Sequence, residues 1–230
     1  MKDSVKGLIF DYGGTLDTNG VHWSEVIYKH YVANHVKVDK DSYCEAFVAV
    51  ERLFGRKPLV KPFFNFKATL HLKLRHQFNV LGLSDMKLAL QVADDSYEEA
   101  KAYVNTAKKT LAKLKEKYPM VLVSNFYGNL HSVLKDFALL DYFDAVVESA
   151  IVGIRKPDPA IFELGMKKLG NMKPEEVVII GDSYKNDIHP AILLGCHSIW
   201  LKGQGWDDRD KDIKHPAIIK NIAEIESYLL

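Results

Sequence analysis

The sequence predicts an α/β fold: a Rossmann-like parallel sheet with helices on both faces, and an all-helical block inserted after the first strand. Three observations predict it. Short apolar runs recur at Val5 to Phe10, Met120 to Val123, Val177 to Ile180 and His197 to Leu201, with the continuity of strands buried on both faces. Stretches of helical spacing separate the later runs, which is the pattern of βαβ units with right-handed crossovers. From about Val21 to Tyr103 no convincing strand occurs. The core is therefore expected to be discontinuous, residues 1–16 plus 102–230, with 17–101 as the helical insert.

The first strand ends at Asp11, followed by Tyr12-Gly13-Gly14-Thr15-Leu16. Two glycines let the backbone turn sharply and approach a ligand. In the insert, Trp23, Val26, Ile27, His30 and Tyr31 fall at helical spacing, with Ser24 as candidate cap. A second helix runs through Cys44, Phe47, Val48 and Leu53 and stops at Gly55 and Pro58. A third spans Phe66 to Phe78, and a fourth begins near Ser84. Thr106 to Tyr118 reads as a separate amphipathic helix, closed by Pro119. The strand at Met120 then ends in Ser124-Asn125. A helix at His131 to Phe137 and a strand at Asp144 to Val147 follow. Ala160 to Leu169 is a helix capped by Asp158, opened by Pro159 and stopped by Gly170. The strand at Val177 runs into Gly181-Asp182-Ser183, and a helix through Ile188, Ala191 and Leu194 leads to the strand at His197. Pro216 to Leu230 reads as a short strand and a closing helix.

Composition narrows the function classes. Hydrophobic residues make up 47% of the 230 and charged residues 27%, ordinary values for a globular protein, and the formal net charge is +1. A near-neutral chain has no global attraction to nucleic acid. No apolar stretch approaches membrane-spanning length. The first residues do not read as a signal peptide. Cys44 and Cys196 lie far apart and lack metal-type spacing, which suits a reduced, cytoplasmic protein.

Chemistry gathers where strands end. Parallel strands place their carboxyl ends on one edge, where open α/β sheets bind ligands. That edge receives Asp11, Ser124, Asn125 and Asp182. Lys156 lies in the loop Gly153-Ile154-Arg155-Lys156-Pro157-Asp158. Asp11 and Asp182 are hard oxygen ligands suited to Mg²⁺, with Asp187 as support. The Ser124 hydroxyl, the Asn125 amide and the Lys156 ammonium are donors for phosphate oxygens. A carboxylate between a divalent cation and a cationic clamp is equipped to attack phosphorus.

The four motifs, in this order, resemble those of the haloacid dehalogenase (HAD) superfamily. Asp11-Tyr-Gly-Gly-Thr-Leu resembles its first motif and Val123-Ser124-Asn125 its second. Lys156-Pro157 resembles the third, and Gly181-Asp182-Ser-Tyr-Lys-Asn-Asp187 the fourth. The insert resembles a C1-type cap by position and helical content. The resemblance implies an Mg²⁺-dependent hydrolase of small phosphorylated metabolites, acting through an aspartyl-phosphate on Asp11. It also implies Asp11, the Gly13 carbonyl and Asp182 as metal ligands, Thr15 as the residue orienting the loop, and Asn186 and Asp187 as supports of the metal side.

One position departs from the family's phosphatases. They carry an acid/base aspartate two residues after the nucleophile, and here that residue is Gly13. A side-chain acid/base is typically worth roughly 10²–10⁴-fold, so slow turnover is expected. The rival reading is a catalytically weak relative that binds a phosphorylated ligand or a protein partner. Asp17 and His22 are candidate substitutes, although Asp17 reads more simply as a loop acid in water. Within the insert, Arg52, Arg56, Lys57, Lys61, Lys67, Lys73 and Arg75 meet no acid up to Ser84, and Phe63, Phe64 and Phe66 are interleaved. We read the aromatics as insert core. We read the basic residues as a solvated face, some of them over the site mouth to attract an anionic substrate, and not as a nucleic-acid interface.

Overall fold

A computed structural model describes residues 4–205 and 209–230. Its sheet has six parallel strands in the order β3-β2-β1-β4-β5-β6. These are β1 Gly7–Phe10, β2 Met120–Ser124, β3 Ala145–Glu148, β4 Val177–Gly181, β5 His197–Leu201 and β6 Ile218–Ile219. The chain starts in the middle, winds outward through β2 and β3, then returns to β4 on the other side of β1. The switch point therefore falls between β1 and β4, where doubly wound sheets open a crevice.

Side-chain alternation builds two layers. Leu8, Phe10, Leu122, Val178 and Ile180 face one side and join α4 (Met86–Lys115) and α9 (Ile225–Leu229) in one apolar cluster. Ile9, Val121, Val123 and Ile179 face the other side and pack on α7 (Ala160–Lys168) and α8 (His189–Leu194). The α7 helix starts at Ala160 as expected but ends at Lys168, and Pro159 is its N-cap, with Ala160 N–H donating to Asp158 Oδ1 at 3.0 Å.

The insert contains α1 (Trp23–Ala33), α2 (Lys40–Arg56), α3 (Phe66–Val80) and the first part of α4. Three expectations need correction. The cap of α1 is His22, whose side chain accepts from Ser24 N–H. Gly55 lies inside α2 and does not end it. Above all, α4 is one helix of 30 residues, so the expected join at residue 102 falls inside it. Its buried residues Ala89, Ala93, Ser96, Ala100, Val104, Ala107, Leu111 and Leu114 keep one unbroken helical stripe. That stripe packs on α1 and α3 at one end and on the sheet at the other. The large apolar cluster accordingly runs from the sheet into the insert through Tyr12, Leu16, Phe66 and Leu70.

The insert is also tied to the core by polar contacts. Lys73 on α3 donates to Glu51 on α2 and to Tyr127 in the loop after β2, and Tyr127 Oη donates to Glu51 Oε2 at 2.6 Å. Nearby, the buried Asn129 donates to Phe64 O at 2.8 Å and Thr69 Oγ1 at 2.9 Å. Of the three phenylalanines, Phe66 is core while Phe63 is 77% exposed.

Candidate active site

Asp11 leaves β1 while its N–H still donates to Ile180 O at 2.9 Å. The sheet thus fixes where its buried carboxylate points. Asp11 Oδ1 accepts from Ser124 Oγ at 2.9 Å and from Lys156 Nζ at 2.6 Å. Lys156 Nζ also donates to Asp187 Oδ1 at 2.6 Å. Asp187 is therefore a direct partner of the lysine, closer to the chemistry than a peripheral support. The Thr15 hydroxyl faces Asp182 Oδ1 at 3.0 Å and Asp11 Oδ2 at 3.4 Å, and its single proton serves the shorter contact.

Local sequence explains this convergence. Gly14 adopts φ +94°, and a Cβ there would lie 2.4 Å from Asp182 Oδ2. Only glycine lets the loop turn against that carboxylate. Gly13 is different: its φ is not in the left-handed region, and a Cβ would meet nothing within 4 Å. After β4 a π-helical turn, Tyr184–Ile188, carries Asn186 and Asp187. Ser183 anchors the turn, accepting from Asn186 N–H at 3.2 Å and donating its own N–H to Asp187 Oδ2 at 3.1 Å.

Asn125 does not present its side chain as a free phosphate donor. Its Nδ2 donates to Lys156 O and its Oδ1 accepts from Lys156 N–H, both at 3.0 Å. The amide holds the lysine loop in place. Glu148, at the end of β3, performs a similar task that sequence reading missed. Its buried carboxylate accepts from the N–H groups of Gly128 and Leu130 and orders the loop after β2. An acid closing an apolar run, as at Asp11, was the available signal.

The electrostatics are unbalanced. Asp11, Asp182 and Asp187 each bring a carboxylate oxygen within 4.8 Å of the others, against the single ammonium of Lys156. Burial, then repulsion from Asp11 and Asp187, push the Asp182 carboxyl well above the usual range. Burial lifts Asp187 to about 6, against the pull of Lys156. Burial alone would depress Lys156, but Asp11 and Asp187 outweigh it and hold the ammonium charged. Among the described residues, the only hydrogen bond to the Asp182 carboxylate comes from Thr15. Hard oxygens, excess negative charge and an under-partnered, partly buried carboxylate are what a small divalent cation neutralises, so the donor set fits Mg²⁺.

All the expected residues except Thr15 border one cavity of about 930 Å³. The candidate substitutes for the missing acid/base fare differently. Asp17 does not border the cavity; it is fully buried and accepts from Gly14 N–H at 2.7 Å and Trp23 Nε1 at 3.0 Å. It is therefore no acid in water. His22 does border the cavity, but its Nδ1 accepts from Ser24 N–H at 3.2 Å. Nδ1 also lies 2.7 Å from Ser24 Oγ, so that side of the imidazole is engaged with Ser24. None of the seven insert cations from Arg52 to Arg75 reaches the cavity; the insert contributes Lys40 instead. Lys73 is held by Glu51 and Tyr127, and Lys67 pairs with Asp94 at 3.1 Å.

Comparison with known proteins bears on the family and the fold. A family model for haloacid dehalogenase-like hydrolases matches residues 5–195. The chain is 32% identical over 222 residues to glyceraldehyde 3-phosphate phosphatase of Pyrococcus furiosus, covering 93% of this chain and 87% of that protein. It is 31% identical over 161 residues to mouse haloacid dehalogenase-like hydrolase domain-containing protein 3, covering 67% of this chain and 63% of that protein. An (S)-2-haloacid dehalogenase of Pseudomonas fluorescens is 26% identical over 231 residues, 99% of this chain and 97% of that one. The magnesium-bound HAD-hydrolase YfnB of Bacillus subtilis shares the fold, with a TM-score of 0.61 at 18% identity over 98% of both chains.

Proposed function

The chain belongs to the haloacid dehalogenase-like hydrolases, and from that footing we propose that it is an Mg²⁺-dependent phosphatase of small phosphorylated metabolites. The observation carrying this reading is the buried Asp11 carboxylate, held by Ser124 and Lys156 and faced by Asp182 and Asp187. The cation would be held by Asp11, Asp182 and the Gly13 carbonyl; once bound it neutralises charge on the phosphoryl oxygens.

The protein's own groups account for the rest. Ser124 Oγ and Lys156 Nζ, now on Asp11, are placed to turn to the phosphoryl oxygens of a substrate. An Asp11 carboxylate oxygen attacks phosphorus, a P–O bond to Asp11 forms, and the P–O bond to the leaving alkoxide breaks. Water then attacks phosphorus, releasing phosphate and restoring Asp11. Both steps move a proton, and Gly13 supplies no group to carry it.

The acidic cluster favours phosphoryl transfer over dehalogenation, because carbon–halogen displacement by a carboxylate needs no cation. The open space at Gly13 favours a second reading, a weak relative that binds a phosphorylated ligand. A reducing, cytoplasmic setting suits two cysteines that form no disulfide. Phosphate release from a panel of phosphomonoesters, with and without Mg²⁺, is the test. Mg²⁺-dependent release abolished by Asp11→Asn is expected; tight binding without any release would leave the second reading standing.

A further inference from the structure

The cavity is far larger than a phosphate, and its wall away from Asp11 carries charged side chains, amides and glycines beside the ring of Trp200. Most of its cations are already engaged. Lys40 pairs with Glu25 at 2.9 Å. Lys156 is held by Asp11 and Asp187. Lys202 Nζ donates to the carbonyls of Asp210 and Lys211 at 2.8 and 2.9 Å. Arg209 and Lys211 each have interactions of their own.

Lys185 differs from all of these. It borders the cavity and is exposed, and its ammonium forms no hydrogen bond or ion pair among the described residues. Its backbone is nevertheless well placed. It lies in the π-helical turn that Ser183 anchors, three residues after Asp182 and two before Asp187. A fixed turn thus carries an unneutralised cation at the cavity wall. Building on the phosphatase reading, we propose that Lys185 determines specificity by receiving a second anionic group at the far end of a hydrophilic substrate. The substrate class is a polyol or sugar phosphate that also carries a carboxylate or a second phosphate. The polar wall suits the hydroxyl groups of such a body, and the lone ammonium suits its second charge.

The test uses matched pairs: glycerol 3-phosphate against 3-phosphoglycerate, and fructose 6-phosphate against fructose 1,6-bisphosphate. The parent should prefer the member with the second anion by about fivefold in kcat/KM, the upper range for a solvent-accessible ion pair. The preference should reside in KM and shrink as salt rises. Lys185→Gln should bring the ratio near one, and Lys185→Glu below one. Lys168→Gln, an exposed lysine on α7, should leave the parental ratio intact. Matching melting temperatures would establish that the variants fold. A parent without preference, or a preference that survives in Lys185→Gln, overturns the inference while leaving the phosphatase reading in place. If none of these four is hydrolysed, calorimetry on the same pairs decides. Tighter binding of the doubly anionic member, lost in Lys185→Gln, upholds the site; equal binding rejects it.

Discussion

The sheet edge and the helical insert both bury charge, with opposite results. In the insert, burial alone would raise the Glu51 carboxyl, yet Lys73 and Tyr127 outweigh it and hold Glu51 below the usual range. At the sheet edge, burial and like charges win, and Asp182 is driven well up. The Glu51–Lys73–Tyr127 ring is closed, each member bonded to the other two. The aspartate cluster is open, three acids against one lysine. The difference teaches how to separate scaffold from site: a compensated buried charge fastens elements together, and an uncompensated one awaits a ligand.

The contrast predicts opposite phenotypes. Asp11→Asn should lower turnover more than about a thousandfold, ~4 kcal/mol of barrier, because an amide is a poor nucleophile. It should leave the fold intact, since removing one acid relieves the crowding around Asp182. Steady-state rates alongside thermal melts check both halves; activity within tenfold of the parent would mean that another residue attacks. Lys73→Met should do the reverse. Glu51 would keep its Tyr127 bond and some solvent contact but lose its cation, so the loss should be about 2–3 kcal/mol, below the ~3–5 of a wholly enclosed pair. Urea denaturation measures it. An unchanged midpoint would erase the distinction between the two regions.

Much of this was legible in the sequence, for a physical reason. Strands buried on both faces must be apolar throughout, so a polar residue that ends such a run stands out. Asp11, Ser124 and Asp182 were found that way, and the parallel sheet then required them to converge. The insert was less legible. Its basic run looked like a charged face because the partners of Lys67 and Lys73, Asp94 and Glu51, lie on other helices. The continuity of α4 was present as an unbroken stripe, but Val104, Asn105 and Thr106 are weak helix formers that do not advertise it. Asp17 was misread because a short polar side chain in a Gly-rich loop gives no sign that Gly14 N–H and the Trp23 indole will enclose it.

Asp17 falls between the two classes. It sits where core and insert join, with two neutral N–H donors but no cation. Burial outweighs those bonds and raises its carboxyl to about 7, far above its unfolded value of 3.8. A carboxyl raised on folding stabilises the native state fully below the unfolded pKa, and that contribution is lost as pH rises through the folded one. Relative to Asp17→Asn, the parent should therefore lose about 2 kcal/mol of stability between pH 5 and 7, near 1.4 kcal/mol per pH unit. Denaturant titrations of both proteins at several pH values test this. Parallel pH profiles would mean that Asp17 stays ionised, fully compensated like Glu51.

Gly13 offers the finest probe, because it asks whether an open site can be completed. Phosphoryl transfer to Asp11 depends chiefly on positioning and charge neutralisation, which Lys156, Ser124 and a cation held by the acid cluster would provide. Breakdown of the aspartyl-phosphate needs an activated water, and the parent has no side chain at position 13 to activate it. Turnover should be slow, faster with aryl than with alkyl phosphates, since an aryl leaving group needs less protonation. The structure places no obstacle in the way of a carboxylate there: Gly13 is outside the left-handed region and its Cβ direction is empty. Gly13→Asp should raise the rate on an alkyl phosphate by about tenfold, ~1.4 kcal/mol, below the usual worth of an acid/base because the surroundings are not arranged to orient it. The gain on an aryl phosphate should be smaller. Steady-state kinetics with both substrates tests the pair of expectations. A parent already at about 10 s⁻¹ on the alkyl ester, unimproved by the new carboxylate, would show that a cavity group already moves the proton. His22→Asn, which keeps an N-cap for α1 while removing the imidazole, would then be the deciding variant.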